Sequence, residues 1–264
     1  MLQAPEIKRG KIPVSVFCKM MQKPFGDGEE YMKMLFDTGY IKKENVFSLT
    51  SGTDILSVMS LFEAETVSIG KTYVMSYVYT PEEYRGRGYS SLLISSFLKT
   101  EKNAVVVFPA AKSLFPYYSR FGFAPCSFSE RLFFENGEER ALIKVGFSEE
   151  IYSLYLSSRR KNELYKPETL FAAAIKEAEE SGGGLYFSDG SYAFSYVENG
   201  IRIVTEPFGK DEKAVAKAFS AKEKVCLVLP SEKRDEPLAM TTCGENLYAD
   251  NFLNFNQYIK EILV

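Results

Sequence analysis

The segment from residue 71 to residue 108 constrains the fold more than any other part of the sequence. The stretch Lys71–Thr80 predicts a strand, the loop Arg85-Gly86-Arg87-Gly88 follows it, and apolar pairs four residues apart within 93–98 predict a helix. The Val-rich run Ala104–Phe108 then predicts a strand buried on both faces. Two strands joined through a crossover helix lie parallel, so this segment predicts a βαβ unit.

The residues before this unit predict antiparallel pairing. Asn45–Thr50 and Ile55–Glu63 have strand character and are separated by the turn signal Ser51-Gly52-Thr53-Asp54. A helix is predicted over Gly28–Tyr40, with acidic residues in its first turn, where the helix dipole favours them. The predicted fold class is therefore mixed α/β (α+β), with a mostly antiparallel sheet that contains one parallel pair.

The second half of the chain repeats much of this order. Helices are predicted over Glu149–Arg160 and Glu168–Glu180. Three strands follow with hairpin turns at Asp189-Gly190 and Asn199-Gly200, then a helix and a Val/Leu-rich strand. These last five elements are Leu185–Phe187, Tyr192–Val197, Ile201–Thr205, Asp211–Phe219 and Val225–Leu229. The sequence predicts two domains of related architecture, 1–128 and 129–264.

Composition excludes several classes of mechanism. The 264 residues include no histidine, so triads, Cys–His pairs and His-ligated metals are excluded. The four cysteines are too far apart for a Cys-x-x-Cys pair and are predicted to be free thiols, so no metal is expected. A net charge of −3 argues against a nucleic-acid partner. No apolar run has the roughly 18 residues of a membrane span and no signal peptide is evident, which predicts a cytoplasmic protein without a membrane partner.

The glycine loop has the features of an anion site. Successive backbone N–H groups at a helix N-terminus attract phosphates, and glycines let a phosphate approach the backbone closely. Arg85 and Arg87 add positive charge. Neither a dinucleotide fingerprint nor a P-loop is present, and on its own the loop is equally compatible with a surface turn.

The surrounding residues resemble a known family. Residues 78–90 resemble the acetyl-CoA pyrophosphate loop of the GNAT N-acetyltransferase superfamily: Arg85 and Gly88 match its Arg/Gln-x-x-Gly-x-Gly/Ala pattern, and Ser90 replaces the last small residue. About 30 residues later, Tyr118-Ser-Arg-Phe-Gly-Phe resembles the family's Tyr-x-x-x-Gly-Phe motif. The resemblance covers roughly residues 15–130. It extends to the bacterial tandem branch of the enhanced-intracellular-survival type, without that branch's extra C-terminal domain.

The resemblance implies acetyl-CoA as co-substrate, held in a wedge between two splayed parallel strands. The backbone at residues 78 and 80 would pair with the pantetheine, an N–H near Val78 would polarise the thioester carbonyl, and the loop would hold the pyrophosphate. The cofactor-binding residues so implied are Val78, Tyr79, Thr80, Arg85, Gly86, Arg87, Gly88, Tyr89 and Ser90.

The resemblance also implies that Tyr118 is the general acid that protonates the departing thiolate. A phenol with an ordinary pKa of about 10 is protonated at pH 7 and can donate without tuning. The alternative is a packed core aromatic, since the chain has 17 tyrosines, and the neighbouring Tyr117 is easily confused with it. The general base is not evident. Glu30, Glu63, a carboxylate from the second half of the chain and, by the resemblance, the C-terminal carboxylate of Val264 are candidates, against the alternative of solvated surface acids.

Three functions therefore compete. The first is transfer of an acetyl group from acetyl-CoA to a primary amine, on a small molecule or a peptide, by direct attack in a ternary complex. The second is a non-catalytic acyl-CoA-binding or interaction module. The third is an aminoacyl-tRNA-dependent transferase, which the slightly acidic charge disfavours. The second domain, where Glu206–Lys210 lacks the Arg-x-x-Gly spacing, is expected to wall the acceptor cleft. A homo-oligomer is compatible with this interpretation.

Overall fold

The computed structural model describes residues 4–230 and 237–243. Most strands and helices lie close to the positions that alternation and helical periodicity in the sequence predict. The strands are β1 (Glu6–Arg9), β2 (Val46–Ser51), β3 (Asp54–Thr66), β4 (Gly70–Tyr79), β5 (Ala104–Val107), β6 (Ala124–Phe134), β7 (Ile143–Val145), β8 (Leu164–Tyr165), β9 (Gly184–Ser188), β10 (Ser191–Glu198), β11 (Ile201–Gly209), β12 (Val225–Pro230) and β13 (Pro237–Thr241). The helices are α1 (Val14–Phe25), α2 (Glu29–Asp37), α3 (Tyr89–Thr100), α4 (Phe115–Ser119), α5 (Glu149–Ser157), α6 (Glu168–Glu180) and α7 (Ala214–Phe219).

The strands form one continuous sheet in the order β1-β2-β3-β4-β5-β13-β6-β12-β11-β10-β9-β7, and β8 pairs with β3. Most neighbours are antiparallel. The two parallel pairs are β4 with β5, joined through α3, and β11 with β12, joined through α7. The predicted fold class is confirmed, and the predicted repetition of a meander followed by a crossover is present in both halves.

Strand β6 links the two halves. Its first part, Ala124–Phe128, pairs with β13, and its second part, Ser129–Phe134, pairs with β12. The predicted division between residues 128 and 129 falls at this change of partner, inside a continuous strand. The division into two domains stays a prediction.

One apolar core spans both halves. It contains Phe17, Met32 and Phe62 of the first half together with Phe171 and Phe208 of the second. Two smaller cores lie against the other faces of the sheet: one beneath α3 and α4 and one beneath α7. Because α1, α2 and α6 share a core, the two halves are held together by burial of apolar surface.

Local patterns also predict a short helix over Leu114–Arg120 and strands over Arg131–Gly146, near α4, β6 and β7, whereas four elements lie outside the sequence predictions. Helix α1 has its buried residues Phe17, Cys18 and Met21 at helical spacing, and that pattern was available in the sequence. The short strands β1 and β8 and the strand β13 depend on distant partners. Strand β13 inserts between β5 and β6, more than 100 residues away in the chain, so local pattern does not predict it.

Several element boundaries differ from prediction: α2 ends at Asp37, α5 ends at Ser157 and β3 runs to Thr66. Strand β11 runs to Gly209 rather than ending at Thr205, because Phe208 pairs with Tyr192 beyond a bulge. Helix α7 starts at Ala214, after Asp211. The segment 231–236, whose charges of both signs predict an exposed loop, lies outside the described residues.

All four cysteines are free thiols as predicted, and Cys18, Cys126 and Cys226 are buried. Within residues 4–230 and 237–243, no helix is both long and apolar enough to cross a membrane.

Candidate active site

The loop before α3 has the backbone conformation that its glycines allow. Gly86 and Gly88 have φ angles of 74° and 78°, in the left-handed region that disfavours other residues. A Cβ atom at either position would meet no atom within 4 Å, so the space in front of both glycines is open. Gly88 is the N-cap of α3 and has no side-chain cap. The first turn of α3 therefore faces open space.

The backbone N–H groups of this turn are unpaired within the described part of the chain. None of residues 4–230 and 237–243 accepts a hydrogen bond from the N–H groups of residues 86–91, and the first such bond is from Leu92 to the Gly88 carbonyl, at 2.9 Å. Six consecutive donors of this kind at the positive end of a twelve-residue helix are a favourable arrangement for binding an anion.

Two arginines flank these donors. Arg85 donates from Nε to the Thr80 carbonyl at 3.1 Å and stacks over the Tyr79 ring, at 5.9 Å from its centroid. Arg87 stacks over Tyr84 at the same distance. Both guanidinium groups are exposed and neither has a carboxylate within salt-bridge distance among the described residues. The loop thus adds two cations to the free N–H groups.

The sheet opens beside the loop. The parallel pairing of β4 with β5 ends at Met75 and Val107, while β4 continues to Tyr79 alongside β3. A bulge in β4 marks the divergence: the β3–β4 register shifts there, and Tyr77 has a φ of 49°. Beyond the bulge, residues 78–80 are half-buried and line the wedge between the diverging strands.

Tyr118 lies on α4 and is 6% exposed. It belongs to the apolar cluster that includes Met75 and Val107, and its ring contacts those of Tyr117 and Phe123. Burial, followed by the nearby Tyr117, raises the pKa of Tyr118 above the ordinary value of 10, and the phenol is protonated at neutral pH. Its hydroxyl has no hydrogen-bond partner among the described residues. The hydroxyl oxygen is not fully buried and keeps some contact with solvent.

Tyr117 has a different environment. Its hydroxyl donates to Ser90 Oγ at 2.9 Å, at the first turn of α3. The two adjacent tyrosines therefore differ: Tyr117 contacts the first turn of α3, and Tyr118 is buried in the apolar cluster.

The candidate base Glu63 lies away from the wedge. Glu63 accepts hydrogen bonds from Lys42 at 2.8 Å and Lys71 at 3.3 Å. Burial raises its pKa, but the hydrogen bonds from Lys42 and Asn45 and the two lysine charges lower it overall. Glu63 pairs with Tyr73 on β4, six residues before Tyr79, or about 20 Å along the strand. Glu30 is exposed on α2, and Val264 lies outside the described residues.

The structure brings other acidic groups to the bulge. Tyr77 donates to Asp27 at 2.9 Å, from β4 to the loop between α1 and α2. Burial raises the pKa of Asp27, and the Tyr77 hydrogen bond only partly offsets that. Glu177 on α6 accepts from Tyr31 at 2.6 Å.

Sequence reasoning missed both carboxylates. Glu177 lies on the same face of α6 as the buried Leu170, Ala173 and Ala174, and this periodicity was the available signal. No local pattern indicates Asp27, because its partner lies 50 residues away.

The second half has the corresponding bulge but not the anion site. Glu206 in β11 has a φ of 48° where the β10–β11 register shifts, as Tyr77 has in β4. In front of α7, however, Asp211 Oδ1 accepts from the N–H of Lys213 at 2.9 Å, and its Oδ2 pairs with Lys217 at 3.2 Å. A carboxylate of the chain itself therefore occupies the place of an anion.

A surface concavity lies elsewhere. It has a volume of about 640 Å³ and is lined by α1, α2 and residues 39–44, with charged groups of both signs. None of its lining residues belongs to the loop before α3 or to residues 78–80. The described residues contain no group of three or more acidic or cysteine side chains placed to hold one metal ion.

No protein-family profile matches the sequence and no curated protein is similar to it. Solved structures do match. A GCN5-related N-acetyltransferase from Kribbella flavida has 16% identity over 90% of this chain and 71% of its own, with a TM-score of 0.63. One from Anabaena variabilis has 15% identity over 89% and 72%, with a TM-score of 0.65. Eis1 from Mycobacterium abscessus has 9% identity over 89% and 73%, with a TM-score of 0.59. The chain therefore has the fold of the GCN5-related (GNAT) N-acetyltransferases, including the enhanced-intracellular-survival type, as its motifs predict.

Proposed function

We propose that the chain is an acetyl-CoA-dependent N-acetyltransferase that transfers the acetyl group to a primary amine by direct attack within a ternary complex. The observation that carries this proposal is the run of six free N–H groups at residues 86–91, placed beside the wedge between β4 and β5. A pyrophosphate satisfies those donors, and an extended pantetheine arm fits between the diverging strands, beside residues 78–80.

The proposed reaction uses groups on both sides of β4. The amine nitrogen attacks the thioester carbonyl carbon, whose oxygen is polarised by an N–H near Val78. The carbon–sulfur bond then breaks, and Tyr118 gives its proton to the sulfur. The amine proton passes to a carboxylate or to water; Asp27 supports this role because it binds Tyr77 at the bulge and burial makes it more basic. The thiol of CoA and an amide are the products.

In this proposal residues 1–128 carry the cofactor and residues 129–264 wall the acceptor cleft. The carboxylate of Asp211, which accepts from the N–H of Lys213 before α7, supports a single cofactor site per chain. The acceptor is a small molecule or a peptide that bears a primary amine.

Calorimetric titration of the purified chain with acetyl-CoA tests the cofactor, and release of free thiol in the presence of a panel of amines tests turnover. We expect one molecule of acetyl-CoA bound per chain and thiol release that depends on an amine. Binding without thiol release for any amine would instead favour the non-catalytic acyl-CoA-binding module. Absence of binding would contradict both.

A further inference from the structure

A third arginine lies near the loop without a carboxylate partner. Arg120, directly after α4, stacks over the Tyr117 ring at 4.8 Å from its centroid and over Phe121 at 6.0 Å. Its Nε also makes a long hydrogen bond of 3.4 Å to the Tyr117 carbonyl. Among the described residues no carboxylate lies within 4 Å of its guanidinium, as is true of Arg85 and Arg87.

The Tyr117 ring connects Arg120 to the anion site. One edge of the ring carries the hydroxyl that donates to Ser90 Oγ at 2.9 Å, within the first turn of α3. The guanidinium lies over the face of the same ring. This arrangement places a cation at the flank of the six free N–H groups, on an element separate from the loop.

CoA carries a second anionic group besides the pyrophosphate that the loop can bind. Its pyrophosphate is a diester that the N–H groups and the loop arginines can neutralise. Its 3′-phosphate is a separate monoester with a charge of about −2 at pH 7, and an exposed guanidinium binds such a group through two parallel hydrogen bonds. Stacking on tyrosine holds a guanidinium flat and leaves its outer N–H groups free.

We propose that Arg120 binds the 3′-phosphate of the cofactor, so that the protein distinguishes CoA from 3′-dephospho-CoA. This inference rests on the proposed function, because it assigns a further contact to the same cofactor. Arg120 is a specificity-determining residue here and takes no part in the acyl transfer.

A purely structural role for Arg120 predicts a different outcome. If the arginine only fixes Tyr117, and through it Ser90, its loss weakens both nucleotides alike. If it binds the 3′-phosphate, its loss weakens CoA alone. The ratio of the two dissociation constants separates these roles.

The experiment measures the dissociation constants of CoA and 3′-dephospho-CoA by calorimetry for the wild type, Arg120→Gln and the control Lys99→Gln. Lys99 is exposed in the last turn of α3, about 15 Å along the helix from the anion site, and its replacement changes the net charge equally. We expect the wild type and Lys99→Gln to bind CoA about tenfold more tightly than 3′-dephospho-CoA. We expect Arg120→Gln to lose that preference and to keep its affinity for 3′-dephospho-CoA.

Equal affinities in the wild type, or equal weakening of both nucleotides in Arg120→Gln, would overturn the inference while the proposed function stands. Binding of neither nucleotide to the wild type would overturn the proposed function itself. Thermal unfolding of each variant without ligand checks that the fold is retained.

Discussion

Tyr31 on α2 donates a hydrogen bond of 2.6 Å to Glu177 on α6, across 146 residues of sequence. Glu177 is 3% exposed, and the bond joins the two halves of the chain inside their shared core. Burial, only partly offset by the hydrogen bonds from Tyr31 and Tyr40 and by the charge of Lys166, raises the pKa of Glu177 from 4.5 to about 7. This buried carboxyl group makes the stability of the protein depend on pH.

The first prediction concerns Glu177→Gln. Between pH 4.5 and 7 the folded chain holds a proton that the unfolded chain has released, so this group's contribution to stability is full below pH 4.5 and is lost as the pH rises through 7. The loss is about 3 kcal/mol, at about 1.36 kcal/mol per pKa unit. Glutamine stays neutral and can still accept from Tyr31. Urea unfolding from pH 5 to 8 should therefore show a flatter profile for the variant than for the wild type.

The control for this prediction is Glu179→Gln on the same helix. Glu179 is 44% exposed and pairs with Lys144 at the surface, so its replacement should leave the shape of the profile unchanged. Parallel profiles for Glu177→Gln and the wild type would show that Glu177 does not titrate in this range.

The second prediction concerns the ion pair between Lys166 and Glu206 at the bulge of β11. Both side chains are about 95% buried, and Tyr155 also donates to Glu206, at 3.2 Å. Removal of one partner leaves a buried charge without its counter-ion, which costs about 3 to 5 kcal/mol. We expect Lys166→Met to lower the free energy of unfolding by that amount. The double variant Lys166→Met/Glu206→Gln should recover much of it.

Lys224→Met is the matched control. Lys224 pairs with Glu135 at 2.9 Å, but both side chains are about half exposed, so the loss should stay below about 1 kcal/mol. Similar losses for Lys166→Met and Lys224→Met would show that the buried pair does not contribute as proposed.

The sequence predicts most of this fold because the decisive signals are local. The glycine loop, the Val-rich strand Ala104–Val107 and the turns at Asn199-Gly200 and Asp189-Gly190 each depend on residues next to one another. The same holds for the loop of the candidate site, where two glycines with positive φ precede a helix.

The rest of the site depends on contacts between distant residues. Asp27 meets Tyr77 only because α1 and α2 pack on the sheet, and Tyr31 meets Glu177 only because the halves share a core. The bulges at Tyr77 and Glu206 place non-glycine residues at positive φ, which sequence propensity argues against. Tertiary packing decides these positions.

The third prediction tests the anion site with Gly88→Asp. An aspartate there directs a negative charge into the space that the N–H groups face. We expect acetyl-CoA to lose its stabilising effect in thermal unfolding, which for the wild type is about 2.7 kcal/mol at 100 times the dissociation constant. Gly200→Asp is the control, since Gly200 has a φ of 75° and equally open surroundings in a distant hairpin. Retained stabilisation in Gly88→Asp would remove the loop from the cofactor site.

The fourth prediction concerns the proton acceptor. Asp27→Asn removes the basic carboxylate at the bulge and keeps an acceptor for the Tyr77 hydroxyl. We expect kcat to fall about a hundredfold and the affinity for acetyl-CoA to stay unchanged. Glu30→Gln, on the exposed face of α2, should leave both values unchanged. A full rate for Asp27→Asn would assign the proton to water.

The fifth prediction separates the two adjacent tyrosines. Tyr118→Phe removes the hydroxyl of the proposed general acid, and we expect kcat to fall about a hundredfold while acetyl-CoA binds as before. Tyr117→Phe removes the bond to Ser90, so its effect should be on the affinity for acetyl-CoA. Because burial raises the pKa of Tyr118, this residue should stay protonated up to pH 10. Its deprotonation should therefore not lower the wild-type rate in that range. An unchanged kcat in Tyr118→Phe would make Tyr118 a core residue and leave the thiolate to be protonated by water.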